Sequence, residues 1–338
     1  MSFVIAMTPT ASKTSAAPYR YRPFRYYILV FALTWAFWIA AIFANTSTDT
    51  MAEGSDGGAG LSLTLMFLGL CVPAVTSIIF VLASKSPELK RDLKRKIIGF
   101  HRIKPLVIMQ AIALFGGIIA VSILASTLIG QPLSQFSFTE GFSFSIAGTS
   151  ALLTILVASV IEEVGWRGYG EDAIAQYHPW FRESLIFGVV WACWHLPLFF
   201  IPGTYHAGLL DLGYGYALNF LVSVVPLGFL TTWVYTKNNR SMLACIVFHL
   251  FVNFFQEKIA LTPETKCIET VVITVAAVLV VLANRDLFFE TRHVGRLLAY
   301  RTGEARAEAE SFLACDVPMR HHRDRPQSEE PHGETATP

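Results

Sequence analysis

The sequence predicts an all-α, polytopic membrane helix bundle of about eight transmembrane helices, with both termini in the cytosol. Three observations predict it. Mean hydropathy is +0.49 and only 15% of residues are charged, where a soluble domain averages about 25%. Apolar runs recur along the chain at roughly the 20-residue length that a ~30 Å hydrocarbon core demands. Lys and Arg fall in blocks between alternate runs, as the positive-inside rule requires. Every backbone polar group at membrane depth must be paired within its own segment, so helices and not a lipid-facing open sheet are expected.

Residues 1–25 form a polar N-terminal segment carrying Lys13, Arg20 and Arg22. The first apolar run, Tyr26–Ala44, is long enough for a first membrane helix and too long for the apolar stretch of a cleaved signal peptide. Strong runs follow at Leu61–Ala83, Pro105–Gly130, Leu185–Ile201 and Tyr214–Tyr235. Another, Ile146–Gly165, ends on two glutamates, and Met242–Phe255 and Thr270–Ala283 are shorter. The membrane domain is thus expected over 26–284. The tail, 285–338, is polar, with a charged helix expected at Arg301–Glu310 and disorder over the His-, Arg-, Glu- and Pro-rich 316–338. No internal repeat is evident, which weighs against a transporter of inverted halves.

With the N-terminus inside and eight crossings, 24 of the 26 Lys and Arg lie on the inner side, and Lys258 and Lys266 remain outside. The first outer loop then carries Asp49, Glu53 and Asp56 and no base. A missing or ninth helix would strand a basic block on the wrong face. The net charge of +1 argues against a nucleic-acid partner. The five Cys (71, 193, 245, 267 and 315) are odd in number and irregular in spacing, so they read as small packing residues with no disulfide framework.

Ionisable groups inside a membrane segment cost several kcal/mol, roughly 2.5–3.5 on the insertion scale, and mark functional sites. Three clusters stand out, in ASVIEEVGWRGYG, GVVWACWHLPLFF and IVFHLFVNFF. Glu163 and Arg167 are four apart, in the favourable acid-before-base order for an ion pair. Glu162 points about 100° away with no such partner, a setting for a general acid or base. The alternative is that both glutamates only brace Arg167. His195 lies between Trp191, Trp194 and Pro197, and Pro197 is expected to kink or end the helix. A lone histidine there fits plain packing as well as catalysis. His249 and Asn253, four apart, share a helix face and are able to donate two hydrogen bonds to one oxygen, or to glue helices together. Counting 1.5 Å per residue from the inner ends puts His195 ~15 Å, His249 ~12 Å and Asn253 ~18 Å deep. With Glu162 in the inner half as well, all four are expected around one inward-facing chamber.

The ordered trio EEVGWRG, WHLP and HLFVN resembles the CPBP family of intramembrane proteases, the type II CAAX prenyl endopeptidase or Abi-like family. The likeness covers about residues 145–256, the expected catalytic core. It implies that Glu162, His195, His249 and Asn253 are catalytic, with Glu163 and Arg167 in supporting places. Trp191 departs from the Phe common at that position. No His-Glu-x-x-His, Gly-x-Ser-x-Gly or paired-aspartate motif is present, so site-2, rhomboid-like and presenilin-like chemistries are unsupported.

The expected reaction is hydrolysis of a peptide bond in a membrane-associated peptide or a CAAX-type lipidated protein, by water activated at Glu162 and His195. Glu162, His195 and His249 are also permissible zinc ligands, and metal-dependent and metal-free mechanisms both stay open. Two other classes compete: a transporter relaying protons through buried Glu and His, and a non-catalytic, immunity-type membrane protein. The plasma membrane is preferred over the endoplasmic reticulum as its location.

Overall fold

A computed structural model describes residues 19–46, 57–139 and 151–290. The expected first outer loop with Asp49, Glu53 and Asp56, the start of the Ile146–Gly165 run, and the tail beyond residue 290 with Arg301–Glu310 and Cys315 lie outside the described residues.

Each of the eight apolar runs coincides, where described, with a helix, the Leu185–Ile201 run being interrupted at His195. They are α1 (Pro23–Thr46), α2 (Gly57–Ala83), α4 (Pro105–Ser126), α5 (Ala151–Gly165), α7 (Trp180–Trp194), α9 (Tyr214–Lys237), α10 (Met242–Lys258) and α11 (Pro263–Ala283). Among the described residues, six helices are long and apolar enough to cross a membrane. The described 15 residues of α5 and the 17 of α10 fall below that length on their own, and they carry two of the three polar motifs. The last run is longer than its apolar stretch suggests. Thr262 caps α11 by accepting from Thr265 N–H, and Pro263 sits in the first turn, where its missing N–H costs nothing.

The outward faces are apolar, with Ile28, Leu82, Leu106, Val271 and Leu279 all exposed, as lipid-facing helices require. α1 and α2 run antiparallel. Tyr26 Oη donates to Pro73 O at 3.2 Å, Thr34 Oγ1 to Gly69 O at 3.2 Å, and Ser62 Oγ to Ala41 O at 3.1 Å. The close approach of α5 to α2 needs glycine: a Cβ on Gly165 would lie 2.8 Å from the Pro73 carbonyl carbon.

Three short helices escaped the sequence reading: α3 (Pro87–Ile98), α6 (Glu171–Ala175) and α8 (Tyr205–Leu212). α3 is too charged to register as an apolar run. It is capped by Ser86, whose side chain accepts from Leu89 N–H. Its inward face, Leu89, Asp92 and Lys96, is buried.

A wide π-helical turn, Trp166–Gly170, links α5 to α6. Lys96 Nζ, fully buried, donates to the Arg167 and Gly168 carbonyls of that turn at 2.9 and 3.4 Å and pairs with Asp172. Arg240 joins the same cluster, bonded to both Asp92 oxygens at 3.1 and 2.7 Å and to Asp172. Arg240 and Asn239 both hold left-handed backbone, φ 60° and 53°, a strain of about 1–3 kcal/mol at the arginine that its ion pairs offset.

The candidate active site

Glu162 and Glu163 lie on the last turn of α5, where the helix passes into the wide turn. Successive residues on a helix point about 100° apart, so the two carboxylates serve different partners. Glu163 is fully buried. Its Oε1 accepts from Arg167 Nη1 at 3.0 Å, the expected four-residue ion pair, and from His249 Nδ1 at 2.9 Å. Arg167 also pairs through Nη2 with Glu171 at 3.3 Å and lies over the Phe187 ring at 5.0 Å.

Glu162 has partners that the sequence reading did not assign. Its Oε2 accepts from the indole N–H of Trp191 at 3.0 Å and, more weakly, of Trp166 at 3.3 Å. Hydrogen bonds to a charged group contribute roughly 1.5–3 kcal/mol each. Both donors fall on one oxygen, so the other stays free to take a proton. Trp166 is four residues after Glu162, and Trp191 four before His195. That spacing marks a shared helix face and was the signal available in the sequence. The departure at position 191 therefore bears on the glutamate: the buried indole points at Glu162.

His195 caps the C-terminal end of α7, and a 3₁₀ turn, Leu196–Phe200, follows with Pro197 in its first turn. The expected break at the proline is thus present. His195 Nδ1 lies 2.7 Å from the Trp191 carbonyl. A carbonyl only accepts, so Nδ1 carries the proton and Nε2 of the neutral ring keeps its lone pair. The same logic applies to His249, whose Nδ1 faces a carboxylate. Its Nε2 donates only when the ring is an imidazolium, a cation that Glu163 stabilises.

Trp191 is the hub of the arrangement. Its ring meets His249 edge-on, with centroids 5.6 Å apart, and its own backbone oxygen holds His195. Glu162 is within electrostatic reach of both imidazoles. Asn253, one turn beyond His249 on α10, donates from Nδ2 to Ser159 Oγ at 3.3 Å. This ties it to α5 one turn before the glutamates and leaves its second amide hydrogen free.

Further residues were missed. His206 on α8 stacks on His195, centroids 5.7 Å apart and planes 25° apart, and neither of its buried ring nitrogens has a hydrogen-bond partner. Glu171 and Glu183, both fully buried, accept from Thr232 Oγ1 at 3.1 and 3.3 Å. Neither follows the three-motif pattern, and both stand in polar stretches near helix ends that look solvent-exposed in sequence.

Among the described residues, no three His, Cys, Asp or Glu side chains converge closely enough to hold a metal ion. Each candidate ligand still keeps one donor atom, the second oxygen of Glu162 and Nε2 of His195 and His249, because both imidazoles are held at Nδ1; a catalytic zinc needs three such ligands to converge. The described cysteines 71, 193, 245 and 267 are free and distributed over four helices.

Residues 145–255 match the sequence profile of the family described as type II CAAX prenyl endopeptidase Rce1-like. The chain is also 34% identical to the CAAX prenyl protease 2 of Methanococcus maripaludis over 272 residues, which is 80% of this chain and 97% of that protein. The profile spans α5, α7, α9 and most of α10, the helices that carry or flank the three motifs. Fold, motifs and likeness agree: the chain belongs to the type II CAAX prenyl endopeptidase family and is an intramembrane endopeptidase.

Proposed function

We propose that Glu162 and His195 activate a water molecule to cleave a peptide bond in a membrane-associated, CAAX-type prenylated substrate. The observation that carries this reading is the double indole contact on one oxygen of Glu162 beside a histidine whose Nε2 is left as an acceptor. The free oxygen of Glu162 takes a proton from water while His195 Nε2 accepts a hydrogen bond from the same water. The resulting hydroxide attacks the scissile carbonyl carbon, and the carbonyl electrons move to oxygen. Asn253 Nδ2 and the imidazolium Nε2 of His249 donate to that oxyanion, where one lost donor costs about 3 kcal/mol of transition-state stabilisation. Glu162 then passes its proton to the leaving nitrogen and the C–N bond breaks, giving a carboxylate and an amine. Each step uses side chains already fixed by packed helices, so little ordering remains when substrate arrives.

The substrate class follows from the name of the 34% identical relative and from the site's place in a membrane bundle. The Lys and Arg distribution favours eight crossings with both termini cytosolic, α5 and α10 being the remaining two crossings. It also favours a pocket opening toward the cytosol.

The test is cleavage of a farnesylated CAAX peptide by the full chain in proteoliposomes, followed by mass spectrometry of the products. The native chain is expected to cleave it and Glu162→Gln is not. Full turnover by Glu162→Gln would reject the assigned role, and no cleavage by the native chain would reject the substrate class.

A further inference from the structure

The 21 residues between α2 and α4 leave and re-enter the membrane on the same face, because both flanking helices are span-length. α3 occupies most of this connection. Its inward face is spoken for: Lys96 holds the wide turn and Asp172, and Asp92 holds Arg240. Its outward face is different. Lys90, Arg91, Lys94 and Arg95 are all exposed, and their spacing of one, three and one puts them on one side of the helix. None of the four has an ion-pair partner among the described residues. The same stripe runs on into exposed Ile98, and past the helix end into Phe100, exposed by 53% and 72%. The antiparallel pairing of α1 with α2 brings a second group to this face: exposed Arg20, Arg22 and Arg25 around Phe24.

Unneutralised bases alternating with exposed apolar side chains, on a helix whose two ends adjoin membrane spans, have the composition of an interfacial helix. Among the described residues no protein covers the apolar members, and they lie where acyl chains begin. The bases lie one layer further out, at headgroup level, where anionic lipid attracts Lys and Arg. We infer that the outward face of α3 is a binding surface for anionic phospholipid headgroups. An acidic protein segment would satisfy the bases but leave Ile98 and Phe100 in water.

The test titrates the purified full-length chain, in detergent, with dioleoyl-phosphatidylglycerol or dioleoyl-phosphatidylcholine and counts bound lipids by native mass spectrometry. The native chain is expected to prefer the anionic lipid by about tenfold, with the preference falling as salt is raised. The exposed variant Lys90→Gln/Arg91→Gln/Lys94→Gln/Arg95→Gln should lose most of that preference while keeping its thermal unfolding midpoint. Should the fourfold variant not fold, Lys94→Gln/Arg95→Gln is expected to lose part of it. Equal binding of both lipids by the native chain overturns the inference, as does an unchanged preference in a folded variant. Saturable binding of a soluble poly-glutamate peptide that displaces phosphatidylglycerol overturns it in favour of an acidic protein partner. Because the readout is bound lipid, the result stands apart from peptidase activity.

Discussion

The indole nitrogen of Trp191 donates to Glu162 Oε2 across 3.0 Å, from a residue 29 positions further along the chain. The carboxylate proposed to take up the proton is thereby fixed by the helix that presents His195. Trp191→Phe keeps the buried ring and removes only the N–H. Losing one hydrogen bond to a charged group, about 1.5 kcal/mol, predicts roughly a tenfold fall in kcat with KM little changed. Trp166→Phe, which removes the longer 3.3 Å contact, should cost less. Steady-state kinetics in proteoliposomes compare the two, and an unchanged kcat in Trp191→Phe would show that the contact does not position the base.

Glu163 joins Arg167 to His249. Glu163→Gln retains the shape but removes the charge that favours the His249 imidazolium. The expected result is a loss of about 10²-fold in kcat, the size of one missing oxyanion donor, and partial recovery in Glu163→Asp. Arg167 keeps Glu171 as a partner in the variant, so the folded state should persist by circular dichroism.

The Asp92–Arg240 pair carries a pH prediction outside the membrane helices. Burial alone would push the Asp92 carboxyl up, but the charges of Arg240 and Lys96 outweigh it and hold it well below the usual carboxylate range. A carboxyl depressed on folding contributes stability that is fully present above its unfolded value of ~3.9 and is lost as pH falls below it. Thermal unfolding in detergent should therefore drop steeply in acid for the native chain and more gently for Asp92→Asn. Removing Arg240 with Arg240→Ala leaves Lys96 alone to pair with the two buried carboxylates of Asp92 and Asp172 and is expected to cost about 3 kcal/mol at neutral pH.

That no three donor side chains converge among the described residues carries a prediction on metal. Purified protein should contain well under one equivalent of zinc by elemental analysis, and 1,10-phenanthroline should leave the cleavage rate unchanged. Stoichiometric zinc with loss of activity on chelation would show that the site rearranges to collect three ligands.

Much of the bundle was legible because lipid enforces a simple grammar of apolar runs near spanning length. The ion pair from Glu163 to Arg167 was legible for a local reason, the four-residue helical repeat. His249 on Glu163 was legible only as convergence, since a contact 86 residues apart in sequence has no local sign. The partners of Glu162 were missed because tryptophan in a membrane segment reads as bulk, although its N–H is a donor that must be satisfied when buried. α3 was missed because the apolar-run criterion is blind to a helix whose buried face holds Asp92 and Lys96. His206 had no motif around it and became visible only through its stacking on His195.

The π-helical turn at Trp166–Gly170 has a consequence for what changes the first motif withstands. A wide turn holds one residue more than an α-turn. Deleting a single residue between Arg167 and Gly170 would remove that extra residue and let the helix run on as a regular α-helix, with Glu171 and Asp172 near the face they now occupy. Inserting one residue in the same stretch would rotate everything beyond it by about 100°: Asp172 would swing off Lys96 and Arg240, and Glu171 off Arg167, while Glu162 and Glu163 stayed in place. The segment therefore withstands shortening by one residue far better than lengthening, and a one-residue insertion should uncouple the helix that carries Glu162 from the Asp92, Lys96, Asp172 and Arg240 charge cluster in a single step.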